Sequence, residues 1–205
     1  MGLSAVQLRA GLDELAAREE RIAAALALAG YPEPRLRDTG YGTLLRTVVG
    51  QQVSVAAANA VWGRLEAHLG EGLDPARLIA SSFDELRACG LSRQKQGYAR
   101  SLCELVVAGE LDLEHLPEDD EEAIAQLVRV KGIGRWSAEI YLLFAEGRAD
   151  IWPAGDLGVQ AGLHRILGLE ERPGEKRTRE LAEAWRPHRG AMAVFTWHCY
   201  DNPAL

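Results

Sequence analysis

The sequence predicts an all-α fold. Ala, Leu, Glu and Arg, all strong helix formers, dominate the composition. Apolar residues recur at helical spacing, as in Ile124, Leu127 and Val128 and again in Ile140, Tyr141, Leu143 and Phe144. Alternating β-branched runs, which would mark strands, are absent from the sequence.

The elements follow in order. Ala5–Ala29 reads as one or two helices stopped by Gly30, and Pro32 and Pro34 make Tyr31–Gly40 a loop. Thr43–Leu69 is a long helical region, interrupted near Gly50, Gln51 and Gln52. Pro75–Ile79 and Ser82–Cys89 are short helices; Ser82 is an N-cap with Glu85 three residues on. Gln94–Val107 is a further helix, and Glu118–Val130 and Arg135–Ala145 form a pair around a short turn. Leu157–Leu167 starts at Asp156, and Lys176–Ala184 and Gly190–Tyr200 close the chain. No internal repeat or low-complexity segment is visible.

At 205 residues, 47% of them hydrophobic, the chain can bury a core as one large domain or as two small lobes. No run approaches the ~18 consecutive apolar residues of a membrane-spanning helix. Met1-Gly2-Leu3-Ser4 has no basic region leading into an apolar stretch, so an intracellular, cytoplasmic protein is expected, nucleoid-associated if the source is bacterial. Cys89, Cys103 and Cys199 are scattered, as buried thiols of a reducing compartment would be. His68, His115, His164 and His198 are unclustered and read as surface or internally satisfied residues.

The net charge of −7 and pI of about 5.3 at first oppose a nucleic-acid partner. The distribution answers this. Glu110–Glu122 holds eight acids, read as a solvated loop and helix start, and removing them takes the formal charge from −7 to +1. Arg93, Lys95 and Arg100 lie in a stretch without acids, as do Arg129, Lys131 and Arg135. One basic face can bind phosphates despite an acidic total.

The most informative stretch is Val130-Lys131-Gly132-Ile133-Gly134-Arg135-Trp136, between two helical segments. Two glycines around one aliphatic residue make a tight turn that lets backbone approach a ligand closely. The next helix then starts with N–H groups aimed at that ligand, flanked by Lys131 and Arg135, which is a phosphate-binding construction. Gly-x-Gly alone would equally suit an ordinary αα-hairpin with a glycine C-cap. Downstream, Trp152-Pro153-Ala154-Gly155-Asp156-Leu157-Gly158 is a Gly/Pro loop with a carboxylate twenty residues after Trp136.

Together these segments resemble the helix-hairpin-helix DNA glycosylase superfamily, which pairs such a hairpin with such a loop. Val49-Gly50-Gln51-Gln52-Val53-Ser54 is similar to the Gln-Gln-x-Ser segment of its alkylated-base branch. Leu91-Ser92-Arg93-Gln94-Lys95-Gln96-Gly97-Tyr98 and Trp185-Arg186-Pro187-His188-Arg189-Gly190 add two further matches in the family's order, from about Tyr41 to Trp197. The resemblance implies a two-lobed helical fold with the active-site cleft between lobes: residues 40–150 with the hairpin 119–145 as the central lobe, and 1–39 plus 151–205 as the second. Larger relatives carry an N-terminal β-domain, and none is expected here.

The resemblance implies base excision from double-stranded DNA by a monomeric enzyme, with alkylated purines of the 3-methyladenine and 7-methylguanine type as substrates. Asp156 is then the catalytic carboxylate; an isolated Asp after Gly would otherwise be read as a helix cap. Trp136 stands where strand-cleaving relatives have a lysine, which implies a monofunctional glycosylase. Trp136, Trp152, Tyr141 and His188 are implied pocket walls, with ordinary core filling as the plainer reading for Tyr141 and Trp197. Gln52, with Gln51 beside it, is implied as the wedge that replaces a flipped base. Lys131, Gly132, Ile133, Gly134, Arg135 and Ser137, with Arg93 and Lys95, are the implied DNA-backbone contacts. A monovalent cation, K+ or Na+, is implied at backbone carbonyls of Arg129, Lys131 and Gly134; no other cofactor is expected. Three separated cysteines do not suit the four-cysteine iron–sulfur cluster of some relatives. The same scaffold acting on deaminated or oxidised bases, or as a noncatalytic lesion-binding module, is the alternative.

Overall fold

The computed structural model describes residues 2–70 and 72–202; Met1, Glu71 and residues 203–205 lie outside them. The described residues form helices joined by loops and turns, without a strand. The chain divides into two compact units, Asp38–Ala138 and Met1–Arg37 with Glu139–Leu205. No helix is long and apolar enough to cross a membrane.

The unit Asp38–Ala138 contains α3 (Tyr41–Gly50), α4 (Val55–Leu69), α5 (Pro75–Ala80), α6 (Phe83–Ala88), α7 (Arg93–Val107) and α8 (Asp120–Leu127). It follows α1 (Ala5–Arg18) and α2 (Glu20–Ala29) in the chain. The expected interruption near Gly50 is a full break, with Ser54 capping α4 by accepting from the Ala57 N–H. Ser82 and Glu85 form the capping box of α6. The organising helix is α7, which packs on α3, α5 and α6. Its apolar face of Ala99, Leu102 and Cys103 is fully buried. Its polar side chains tie down neighbouring helix ends: Gln96 donates to the Phe83 and Leu91 carbonyls, and Arg100 to those of Ile79 and Ser81. Carbonyls at helix C-termini lack intrahelical partners, so the Arg100 bonds satisfy groups at the end of α5 that would otherwise be orphaned.

The other unit holds α1 and α2, the π-helical turn Leu142–Glu146, α10 (Leu157–Leu167), α11 (Glu175–Ala182), a 3-10 turn Glu183–Trp185 and α12 (Arg189–Asp201). Here α12 is central: α1, α2 and α10 all pack on it. Gly190–Trp197 is buried on every side, as expected of a helix apolar all round. Met192 and Phe195 are fully buried, and such side chains contribute roughly 1.5–3 kcal/mol each. Ala5–Ala29 is two helices, because Glu19 in extended conformation ends α1 and caps α2.

Two boundaries differ from those read in the sequence. The hairpin's first helix is shorter, ending at Leu127 with Val128 as its C-cap. Its second, α9 (Arg135–Tyr141), passes into the π-helical turn, and the division between units falls inside it, at Ala138 and Glu139, not near residue 150. The reason is packing: Glu139 is buried and ion-paired to Arg179 of α11, and Ile140–Ala145 is buried with that unit.

The close approach of α10 to α12 is set by Gly162, where a Cβ would overlap the Thr196 backbone. Gly63 in α4 has nothing within 4 Å of a built Cβ. Gly162→Ala is therefore expected to lower unfolding free energy by about 1–3 kcal/mol or more. Gly63→Ala is expected to raise it by about 0.5–1 kcal/mol. Urea denaturation of the two variants checks both signs.

Candidate functional site

The hairpin begins where Asp119 caps α8, accepting from the Glu122 N–H at 2.9 Å. Buried Val130 and Ile133 anchor the turn that follows. Gly132 lies in the left-handed region at φ 82°, and a Cβ there would overlap the Tyr98 ring of α7. Backbone conformation and space both demand glycine at 132. Gly134 differs: a Cβ would meet nothing within 4 Å, so its backbone faces open space that a ligand can enter. The turn is pinned by the Lys131 N–H donating to Ser101 Oγ at 3.1 Å and by Gln51 Nε2 donating to the Gly132 carbonyl at 2.8 Å.

The three polar residues of the Gln-Gln-x-Ser segment stand in three different settings. Ser54 caps α4, Gln51 braces the hairpin, and Gln52 is exposed in the left-handed region at φ 55°. That conformation costs a non-glycine residue roughly 1–2 kcal/mol, and Leu73 shares it at φ 54°.

The charges differ in part from the sequence reading. The acidic block is not merely solvated. Glu121 forms a two-pronged pair with Arg135, and Glu110 accepts from Arg129 through both its carboxylate and its carbonyl. Lys95, expected to meet phosphate, instead donates Nζ to the Val49 carbonyl at the end of α3, at 2.7 Å. Partial burial pushes its pKa down. Arg93 stands over the Phe83 ring, 4.8 Å from its centroid. Lys131 is exposed, while Ser137 is largely buried.

The carboxylate belongs to the other unit. Asp156 is half-buried at the N-cap of α10, where Oδ1 accepts from the Val159 N–H at 3.0 Å and from Trp197 Nε1 at 2.8 Å. The loop before it is fixed by Ala154 N–H to the Trp152 carbonyl and Asp156 N–H to the Pro153 carbonyl, both 2.9 Å. Gln160 Nε2 donates to the Ala154 carbonyl at 2.8 Å. Gly158 leaves the room in which this happens, since a Cβ there would lie 2.9 Å from Trp197 Cδ1 and 3.1 Å from Asp156 Oδ1.

Of the aromatic residues proposed as pocket walls, the structure exposes Trp136, at 47%. Trp152 is corrected to a core residue: it is 3% exposed, donates Nε1 to the Thr178 carbonyl and meets the Trp185 ring edge-on at 5.4 Å. Tyr141 is buried as well. His188 packs on Gly11 of α1 and sits 3.1 Å from the Glu14 carboxylate, beside a shallow cavity also lined by Gln7 and Ala149. The cysteines are all buried; desolvation pushes Cys103 up to about 11 and Cys199 up to about 12. Among the described residues no group of three His, Cys, Asp or Glu side chains is arranged to hold a metal ion. Trp197, read in the sequence as core filling, is also a partner of Asp156, a contact that spans 41 residues and that no local pattern announces.

A family profile described as HhH-GPD superfamily base excision DNA repair protein matches residues 45–187. The chain is 32% identical over 161 residues to DNA-3-methyladenine glycosylase 1 of Schizosaccharomyces pombe, spanning 77% of this chain and 71% of that one. It is 28% identical over 201 residues to DNA-3-methyladenine glycosylase 2 of Escherichia coli, spanning 91% and 68%. Among solved structures, a 3-methyladenine DNA glycosylase of S. pombe in complex with abasic DNA matches with a TM-score of 0.80 and 28% identity, over 95% of this chain and 98% of that one. A DNA-3-methyladenine glycosidase of Bacillus halodurans matches with a TM-score of 0.86 and 30% identity, over 94% and 89%.

The geometry assigns Lys95 to the end of α3. Lys95→Met should lower unfolding free energy without DNA by about 1 kcal/mol, the value of one such hydrogen bond. Urea denaturation measures it; unchanged stability would return Lys95 to a purely phosphate-binding role.

Proposed function

The chain belongs to the HhH-GPD superfamily of base excision DNA repair proteins, and from that premise we propose that it is a monofunctional DNA glycosylase releasing alkylated purines. The observation that carries the proposal is Asp156: a carboxylate fixed at the start of α10, within a loop that the family profile covers. The names of the relatives from S. pombe, E. coli and B. halodurans support the substrate class, 3-methyladenine and its kin. The partner is double-stranded DNA containing a damaged base, bound by a monomer in the compartment that holds the chromosome.

The chemistry follows from the residues. As the bond between C1′ and the base nitrogen breaks, its electron pair leaves with the base and positive charge builds on the sugar. A fixed carboxylate beside C1′ stabilises that charge and orients or deprotonates the water whose oxygen bonds to C1′. Alkylation at a ring nitrogen makes the base cationic, so it departs neutral and needs no general acid. Position 136 carries an indole where a lysine would form a Schiff base, so the strand stays intact and an abasic site remains.

The hairpin serves the backbone. Its N–H groups and Lys131 meet phosphate, which fixes register without reading sequence. Gln52, exposed and held in the left-handed region, suits the gap left by a flipped base. Trp136 suits a cationic base, because a ring face attracts positive charge. A monovalent cation would add one positive charge between hairpin and phosphate. The carbonyls of Arg129, Lys131 and Gly134 would hold it, that of Gly134 through its second lone pair, since it also accepts from the Ala138 N–H at 3.0 Å.

Asp156→Asn should keep DNA binding and reduce single-turnover base release by at least about 100-fold. Release is measured on duplexes carrying 3-methyladenine, 7-methylguanine or hypoxanthine, with alkali added to reveal abasic sites; full turnover by the variant would sink the mechanism. Lys131→Ala should weaken binding of all duplex sequences alike and reduce the slope of log K against log salt by about 1. Equilibrium binding across a salt series reads this directly, and an unchanged slope would remove Lys131 from the interface.

A further inference from the structure

We infer that Trp197 is a positioning residue for the excision reaction: its indole N–H fixes the orientation of the Asp156 carboxylate. The inference rests on the catalytic reading of Asp156 given above. The Trp197 Nε1 to Asp156 Oδ1 bond is 2.8 Å, and the same oxygen accepts from the Val159 N–H at 3.0 Å. The Val159 bond is an ordinary helix cap and comes from Asp156's own helix. The Trp197 bond comes from α12, so the carboxylate is held from a second element.

The surroundings are built for that bond. Trp197 is 8% exposed, its ring lies 5.4 Å from that of Phe144, and the Arg35 guanidinium stands 5.6 Å from its centroid. Arg35 is in turn 3.6 Å from Asp201. Gly158 keeps the space between indole and carboxylate clear; a Cβ there would intrude on Cδ1, Nε1 and Oδ1 together. Core filling alone would be met by phenylalanine, which has no N–H to aim at Oδ1.

The choice of donor suits the chemistry. An indole N–H donates only and does not titrate. It adds a bond to the carboxylate without adding a positive charge. A guanidinium at the same place would grip as firmly, but would offset the negative charge that must face the developing cation. Holding the carboxylate in one orientation keeps that charge where it acts, so reorganisation is not needed during the reaction.

The test uses the full chain with Trp197→Phe and, separately, with 3-benzothienylalanine at position 197, which keeps the bicyclic shape and lacks the N–H. Single-turnover release of 7-methylguanine and the Kd for lesion duplex are measured for both, alone and combined with Asp156→Asn. Expected are unchanged Kd and a rate lowered roughly 10- to 100-fold, the worth of one hydrogen bond to a charged group. No further loss is expected in the Asp156→Asn background. A rate within twofold of wild type overturns the positioning role, as does an equal loss with and without the Asp156 carboxylate. A second readout needs no turnover: the indole N–H resonance of Trp197 should shift on Asp156→Ala, and a fixed resonance overturns the inference. If wild type releases no base and Asp156→Asn changes nothing, the catalytic reading fails and takes this inference with it; a loss confined to Trp197 variants of an active enzyme cannot be mistaken for that result.

Discussion

The approach of α10 to α12 is the constraint on which the carboxylate site depends. Gly158 and Gly162 lie four residues apart, on one face of α10. At Gly162 a side chain would collide with the backbone of Thr196, and at Gly158 with the next residue, Trp197. The absent Cβ atoms let α12 come close enough for the Trp197 N–H to reach Oδ1 of Asp156. Glycines inside helices cost roughly 0.5–1 kcal/mol each relative to alanine. Close packing of α12, buried on nearly all sides, offsets that cost and delivers a donor to a position no local turn could supply.

The other unit solves a different problem, holding a short turn rigid while leaving one side open. Tyr98 from α7 packs over Gly132, Ser101 from α7 accepts from Lys131, and Gln51 after α3 donates to Gly132. All three supports come from outside the hairpin and converge on residues 131 and 132. Gly134, which no neighbour crowds, is left for close approach. The ion pairs Arg135–Glu121 and Arg129–Glu110 are exposed and worth about 0–1 kcal/mol each, so phosphates can compete for the guanidinium groups without unfolding anything. This places eight acids beside the basic segments without defeating DNA binding.

The helices were legible in the sequence because their signals are local. Ser82 with Glu85, the break at Gln51, and Asp156 before Leu157 each fix an element end through its own cap. The hairpin glycine at 132 and the carboxylate at 156 were legible as motifs. What was not legible depends on contacts far apart in sequence. Lys95 sits in a basic stretch and looks like a phosphate ligand until α3 places the Val49 carbonyl within its reach. Trp152 looks like a pocket wall until α11 offers the Thr178 carbonyl. Trp197, read as core filling, is also a donor to Asp156. The unit boundary at Ala138 follows from Glu139 meeting Arg179, a pairing across 40 residues.

These long-range contacts share an electrostatic logic. Phosphate binding asks for positive charge and bare N–H groups, and exposed Lys131 and the uncrowded backbone at Gly134 suit it, whereas Lys95 and Arg100 are bonded to carbonyls at helix ends. Stabilising a sugar cation asks for negative charge that is oriented but not cancelled. In the unit that carries Asp156, arginines are matched to other carboxylates: Arg179 to Glu139 and Glu175, Arg186 and Arg189 to Asp150 and Glu183, Arg35 to Asp201. Asp156 itself accepts from an indole and a backbone N–H, two donors that orient the carboxylate without bringing a formal positive charge.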